Sequence, residues 1–115
     1  MDATNVLLKC LKSKRFINDI EKAKDEVKMD TLVLRKNTDL FIRDAITGMG
    51  TILKEDLDDH YYITTVKVGG LGNVLTQAII KREAEKAMIV VYAHEGLIKQ
   101  HLAEKTIEKF KKALS

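Results

Sequence analysis

The sequence predicts an α/β fold: a small, mainly parallel sheet of three or four strands, with helices packed on both faces and a helical N-terminus. Three observations lead there. Tyr61–Val68 (YYITTVKV) is β-branched and aromatic, a composition that packs well on a pleated surface. Met88–Tyr92 (MIVVY) is a nearly continuous apolar run, as expected of a strand covered on both sides. Between them lie 19 residues that open on Gly69-Gly70-Leu71-Gly72-Asn73 and continue as VLTQAIIKREAEKA. That is too long for a hairpin and enough for a turn, a helix and a return, hence a right-handed parallel crossover. In such a helix Asn73 caps the N-terminus, Val74, Ala78, Ile79 and Ile80 face the sheet, and Lys81, Arg82, Glu83, Glu85 and Lys86 face water.

From the N-terminus, Asp2 or Thr4 can cap a first helix through about Lys12, with Val6, Leu7, Cys10 and Leu11 on one side. Phe16, Ile20, Ala23 and Val27 continue a helical stripe through Lys28. Residues 2–28 therefore read as one helix, or as two with a break at Ser13. Thr31–Lys36 reads as a strand. Asn37 or Thr38 can cap the next helix, whose apolar positions are Leu40, Phe41, Ala45 and Ile46, and Gly48 suits its left-handed C′ position. Residues 48–60 admit two readings, a short strand at Thr51–Leu53 or a helical extension through Met49, Leu53 and Leu57. After Tyr92, Gly96 marks a bend, and Leu97–Leu114 reads as a final helix with Ile107, Phe110 and Leu114 inward. Its late lysines complement the helix dipole.

The 115 residues suffice for one domain with one core, and 45% hydrophobic with 32% charged residues is a globular composition. The net charge of +3 is uneven: residues 31–60 carry 4 basic and 6 acidic side chains, residues 61–115 carry 9 and 5. A single cysteine, Cys10, excludes an internal disulfide and suits a reducing cytoplasm. It reads as a small buried hydrophobe, since no histidine is near it in sequence. No basic-then-apolar leader and no apolar run of membrane-spanning length is present.

The segment Gly69–Asn73 is the candidate binding loop. Read as a strand-to-helix turn, its glycines let backbone N–H groups approach an anion, and the helix N-terminus behind it supplies free donors and a positive dipole end. Lys67 can add charge and Thr76 a hydroxyl. The ligand-binding set is thus Lys67, Gly69, Gly70, Gly72, Asn73 and Thr76, joined by His94 and Glu95 at the carboxyl end of the last strand. The alternative is a tight turn with no ligand. Catalytic machinery is not visible: Ser13 and Ser115 are the only serines, and His60, His94 and His101 are scattered. Asp56, Asp58 and Asp59 beside His60 are bunched and lack the glycine turn of a calcium loop, so neither metal nor cofactor is expected.

Two local resemblances accompany this. Lys67-Val68-Gly69-Gly70-Leu71-Gly72 resembles the K-x-G-G-L-G signature of bacterial glycogen synthases and starch synthases, where the loop meets a sugar-nucleotide phosphate. The likeness covers this loop alone, and the two-domain machinery of those enzymes does not fit in this chain, so it implies phosphate affinity at most. Residues 72–93 are loosely similar to the turn, helix and strand by which a ribosomal protein family contacts kinked RNA, with nothing matching in the first 60 residues. The expectation is a non-catalytic binding or regulatory module for a small phosphorylated or nucleotide ligand. The alternatives are a protein-interaction domain, or an RNA-binding domain using the basic C-terminal half. With few strands and two open edges, homodimerisation through an edge or through the N-terminal helices is expected as well.

Overall fold

The computed structural model describes residues 2–69, 74–96 and 99–115. Five strands form one sheet: β1 (Val27–Val33), β2 (Ile52–Asp56), β3 (Tyr61–Val68), β4 (Val74–Glu83) and β5 (Lys86–Tyr92). Their spatial order is β1-β5-β4-β3-β2, and every neighbouring pair is antiparallel. The expected three- or four-stranded parallel sheet is therefore overturned. The segment read as a crossover helix is β4 together with the turn into β5.

The physical reason lies in two sequence features. Val74, Thr76, Ile79 and Ile80 are β-branched, which costs χ1 freedom in a helix and none on a pleated surface. Alternation then sorts Val74, Thr76, Ala78 and Ile80 to one face and Gln77 and Ile79 to the other. The β4–β5 turn hides in EAEK, a run of strong helix formers. Glu83 pairs with Lys86, and the chain reverses through Ala84 in a left-handed conformation (φ 55°) without the usual glycine or asparagine. The turn–helix–strand likeness to the RNA-binding family falls with the helix.

Helices cover both faces. On one side α3 (Asp39–Thr47) and α4 (Leu102–Leu114) pack Ile42, Ile46, Ile107, Phe110 and Leu114 against Tyr62, Val66, Ile80, Ile89 and Val91. On the other, α1 (Ala3–Ser13) sets Leu7, Leu8 and Leu11 against Tyr61, Ile63, Ile79 and Val90. The adjacent Tyr61 and Tyr62 thus enter opposite cores, as strand periodicity requires. Residues 2–28 are not one helix. α1 ends at Ser13, Arg15 turns left-handed (φ 65°), and a short α2 (Ile20–Ala23) and a 3₁₀ turn (Lys24–Glu26) lead into β1. β1 begins four residues before the expected Thr31. Asp2 and Thr38 cap α1 and α3, accepting from Thr4 and Asn5 N–H and from Phe41 N–H. Gly48 follows α3 but with right-handed dihedrals (φ −76°, ψ −15°), so its freedom is not used there.

The glycine that matters is Gly50. Any Cβ there would collide with the Thr65 carbonyl, because the chain entering β2 lies directly against β3. Thr51 C=O accepts from Thr65 N–H at 2.9 Å and from the Thr64 hydroxyl at 2.9 Å in the same place. Gly50→Ala is expected to lower stability by about 2–3 kcal/mol, the upper range for forcing atoms into a packed site. Gly69→Ala, where an added Cβ meets nothing within 4 Å, should stay within about 0.5 kcal/mol. Urea unfolding of the two variants checks both values.

Candidate functional site

Antiparallel topology brings the end of β3, the start of β4 and the end of β5 to one end of the sheet. Tyr92 lies between Val27 of β1 and Gln77 of β4, so their side chains share the face covered by α1. Beyond the end of α1 the chain from Phe16 to Ala23 lies over this end without sealing it. The result is a cleft of about 640 Å³. Gln77, Tyr92 and His94 line its sheet side, and Phe16, Asn18 and Lys22 its opposite side. Val74 and Leu75, which follow residues 70–73 in sequence, are part of its rim.

Gln77 and Tyr92 are only 6% and 9% exposed, yet the Gln77 amide and the Tyr92 hydroxyl have no hydrogen-bond partner among the described residues. Neither is sealed from solvent, since the one fully buried unpaired side-chain atom among the described residues is Glu55 Oε1. Their polar atoms therefore open into the cleft. Burial, and then the charge of Glu26, raise the Tyr92 pKa, so its hydroxyl stays protonated at neutral pH.

His94 is fixed by Glu26. Both carboxylate oxygens of Glu26 lie 3.1 Å from His94 Nδ1, and Oε2 also accepts from Glu95 N–H at 3.1 Å. An ionised carboxylate only accepts, so the proton sits on Nδ1 and Nε2 is left outward. Glu95 belongs to the other side of the sheet. It lines a second cleft of about 460 Å³ with Glu26, Lys28 and Glu104. There Oε1 accepts from Leu102 N–H at 2.7 Å and Oε2 from Gln100 N–H at 3.0 Å. The two backbone donors, Gln100 first, hold the Glu95 pKa below its usual 4.5. The cap residue proper, His101, is left-handed and makes no side-chain cap bond, so Glu95, seven residues before Leu102, caps α4 in its place.

The expected site residues thus separate. His94 lines the cleft. Thr76 is fully buried on the opposite face, 2.8 Å from the Thr106 hydroxyl, and binds nothing else there. Lys67 is exposed late in β3, and its carbonyl accepts from Lys109 Nζ at 2.8 Å. Gly69 is exposed, and Gly70, Gly72 and Asn73 lie outside the described residues. No helix starts after Asn73, so the dipole argument for anion binding at the glycine segment is lost. Gln77, Tyr92 and Glu26 were not foreseen. Gln77 was hidden inside the supposed helix, and Glu26 pairs with His94 across 68 positions.

Among the described residues no cluster of three or more His, Cys, Asp or Glu is placed to hold a metal ion. His60 is instead engaged with Arg82, which also grips Asp39 through Nε and Nη2 at 3.3 Å each. Burial works against the Asp39 charge, but Arg82 outweighs it and the pKa falls below 3.8. No helix among the described residues is long and apolar enough to cross a membrane. Comparison with family models, with curated proteins and with solved structures finds no match to this chain.

Removing the Glu95 carboxylate should loosen the start of α4. Glu95→Ala is expected to cost about 1 kcal/mol at neutral pH, as for loss of a helix cap. Because the folded pKa is depressed, this contribution is present above the unfolded value of 4.5 and lost as the pH falls through the folded one. Wild type and variant should therefore converge in acid, which chemical denaturation across pH measures.

Proposed function

We propose that the protein is a non-catalytic binding or regulatory module whose ligand is a small nucleotide or nucleoside, its base held in the cleft of Gln77, Tyr92 and His94. Two buried, unpartnered polar side chains aimed into that cleft support the reading. Both groups open into the cleft with no partner among the described residues, so a ligand with matching donors and acceptors can pair with them without displacing an existing protein hydrogen bond. A carboxamide offers one donor and one acceptor side by side, the complement of a base or amide edge. The half-exposed Phe16 and Leu75 at the rim (40% and 49%) provide apolar surface for a planar ring. The cleft wall formed by Gln77, Tyr92, His94 and Phe16 presents no hydroxyl nucleophile other than the tyrosine, which favours binding over covalent chemistry.

The test is a thermal-shift titration with nucleosides and their monophosphates, repeated on Gln77→Leu and Tyr92→Phe. At a concentration of 100 Kd a ligand should stabilise the wild type by about 2.7 kcal/mol. Gln77→Leu should stay folded when empty, because the Gln77 amide makes no hydrogen bond to the described residues, and should lose the ligand response. An unchanged response in both variants, or none in the wild type, removes the reading.

A second reading, self-association through β1, is favoured by Met29 and Val33. Each is 59% exposed on the α1 side of the sheet, at a part of β1 that no helix covers, along a free sheet edge. Light scattering on a sizing column decides it, a dimer being the expected species and a monomer at high concentration the outcome that excludes it.

A further inference from the structure

The flank of α1 nearest β2 and β3 forms another cleft, of about 520 Å³, lined by Lys9, Cys10, Ser13, Lys14, Lys54 and Tyr61 among others. Lys9 and Lys14 come from α1 and its C-terminal cap, Lys54 from β2, so three lysines from two elements line one cleft. None of the three makes an ion pair among the described residues, and no carboxylate lines the cleft. Asp56, two positions along β2 from Lys54, lies outside the lining and accepts from Asp59 N–H; its charge also acts on Lys54, as the smallest of the influences on that lysine. Lys54 Nζ stands 5.7 Å over the ring of Tyr61, which is 4% exposed. The contact with the Tyr61 hydroxyl, ahead of every other influence, raises the Lys54 pKa, so the site keeps its charge.

Unpaired like charges gathered in a concavity repel one another and focus a positive potential that an anion would relieve. The volume is that of a small-molecule site, roughly 300–1,000 Å³. We propose that this cleft binds a small phosphorylated molecule, a phosphate monoester or a diphosphate, through Lys9, Lys14 and Lys54, with the Ser13 and Tyr61 hydroxyls as neutral partners. It is separate from the Gln77–Tyr92 cleft and stands whether or not that cleft takes a nucleotide.

Cys10, the chain's single cysteine, is partly exposed in the wall and reports occupancy. Its alkylation by neutral iodoacetamide is followed in the full chain while inorganic pyrophosphate or glucose 6-phosphate is added, ionic strength being held with potassium chloride. Saturable slowing is expected. Lys14→Gln and Lys54→Gln should each raise the half-protecting concentration about two- to fivefold, the worth of one exposed ion pair. Lys105→Gln on α4 should leave it unchanged. Slowing that never saturates, or that survives when Lys9, Lys14 and Lys54 are all glutamine, overturns the site. Protection by single-stranded RNA with none from either small phosphate overturns it too.

Discussion

A strand buried on both faces has nowhere to put polar side chains except where a partner meets them, and β4 is such a strand. Ala78, Ile79 and Ile80 are fully buried between α1 on one side and α3 with α4 on the other. At its start come two polar residues in succession, Thr76 and Gln77, sent to opposite faces by the pleat. Thr76 meets Thr106, whose hydroxyl in turn donates to the Leu102 carbonyl at 2.8 Å, so that face is closed and satisfied. Gln77 meets the space beyond the end of α1. The difference between a sealed contact and an open cleft is therefore one of cover: α4 brings Thr106 onto the start of β4, whereas no side chain among the described residues hydrogen-bonds Gln77 on the α1 side.

The same strand explains what was legible in the sequence and what was not. Tyr61–Val68 and Met88–Tyr92 carried their character locally, through branching and apolar continuity, and both are strands at the expected places. Caps at Asp2 and Thr38 were equally local, each a side chain accepting from its own first turn. The stretch between the two strands was not local in this sense. Its helix-forming EAEK turn and its 19-residue length both pointed to a crossover. Yet β3 and β5 do run in the same direction, since both are antiparallel to β4. The relative direction was right and the intervening element wrong. That is why His94 still falls beside the residues that follow the glycine segment, although the helix N-terminus invoked to bind an anion there does not exist.

Charge is arranged by the same geometry. Edge strand β1 carries its own protection: Asp30 Oδ1 accepts the Thr31 N–H at 2.8 Å and Oδ2 takes Lys111 Nζ at 2.8 Å. The lysine bond, and then the Thr31 amide, hold the Asp30 pKa below 3.8, so the carboxylate remains ionised well into acid. The edge is thus partly spoken for by an interaction with α4, while Met29 and Val33 on its other face remain open. Lys9, Lys14 and Lys54 make no comparable ion pair among the described residues, and the cleft they line on the α1 flank contains no carboxylate.

Glu26 binds these regions together. Its carbonyl accepts from Ala93 N–H, and its carboxylate takes the ring of His94 and the amide of Glu95. His94 faces the Gln77–Tyr92 cleft, whereas Glu95 caps α4 on the far side of the sheet. One carboxylate therefore positions both a group that would touch ligand and the residue that anchors a helix. If the proposed cleft takes a ligand that hydrogen-bonds His94 Nε2, the ring is polarised and what Nδ1 offers to Glu26 changes, and with it the support that Glu26 gives the Glu95 amide. Linkage makes the effect reciprocal: if binding in the cleft tightens α4, a firmly capped α4 must favour binding by the same free energy. The fold thus puts a cleft-lining residue and a helix anchor on consecutive positions just past the end of β5, both held by Glu26.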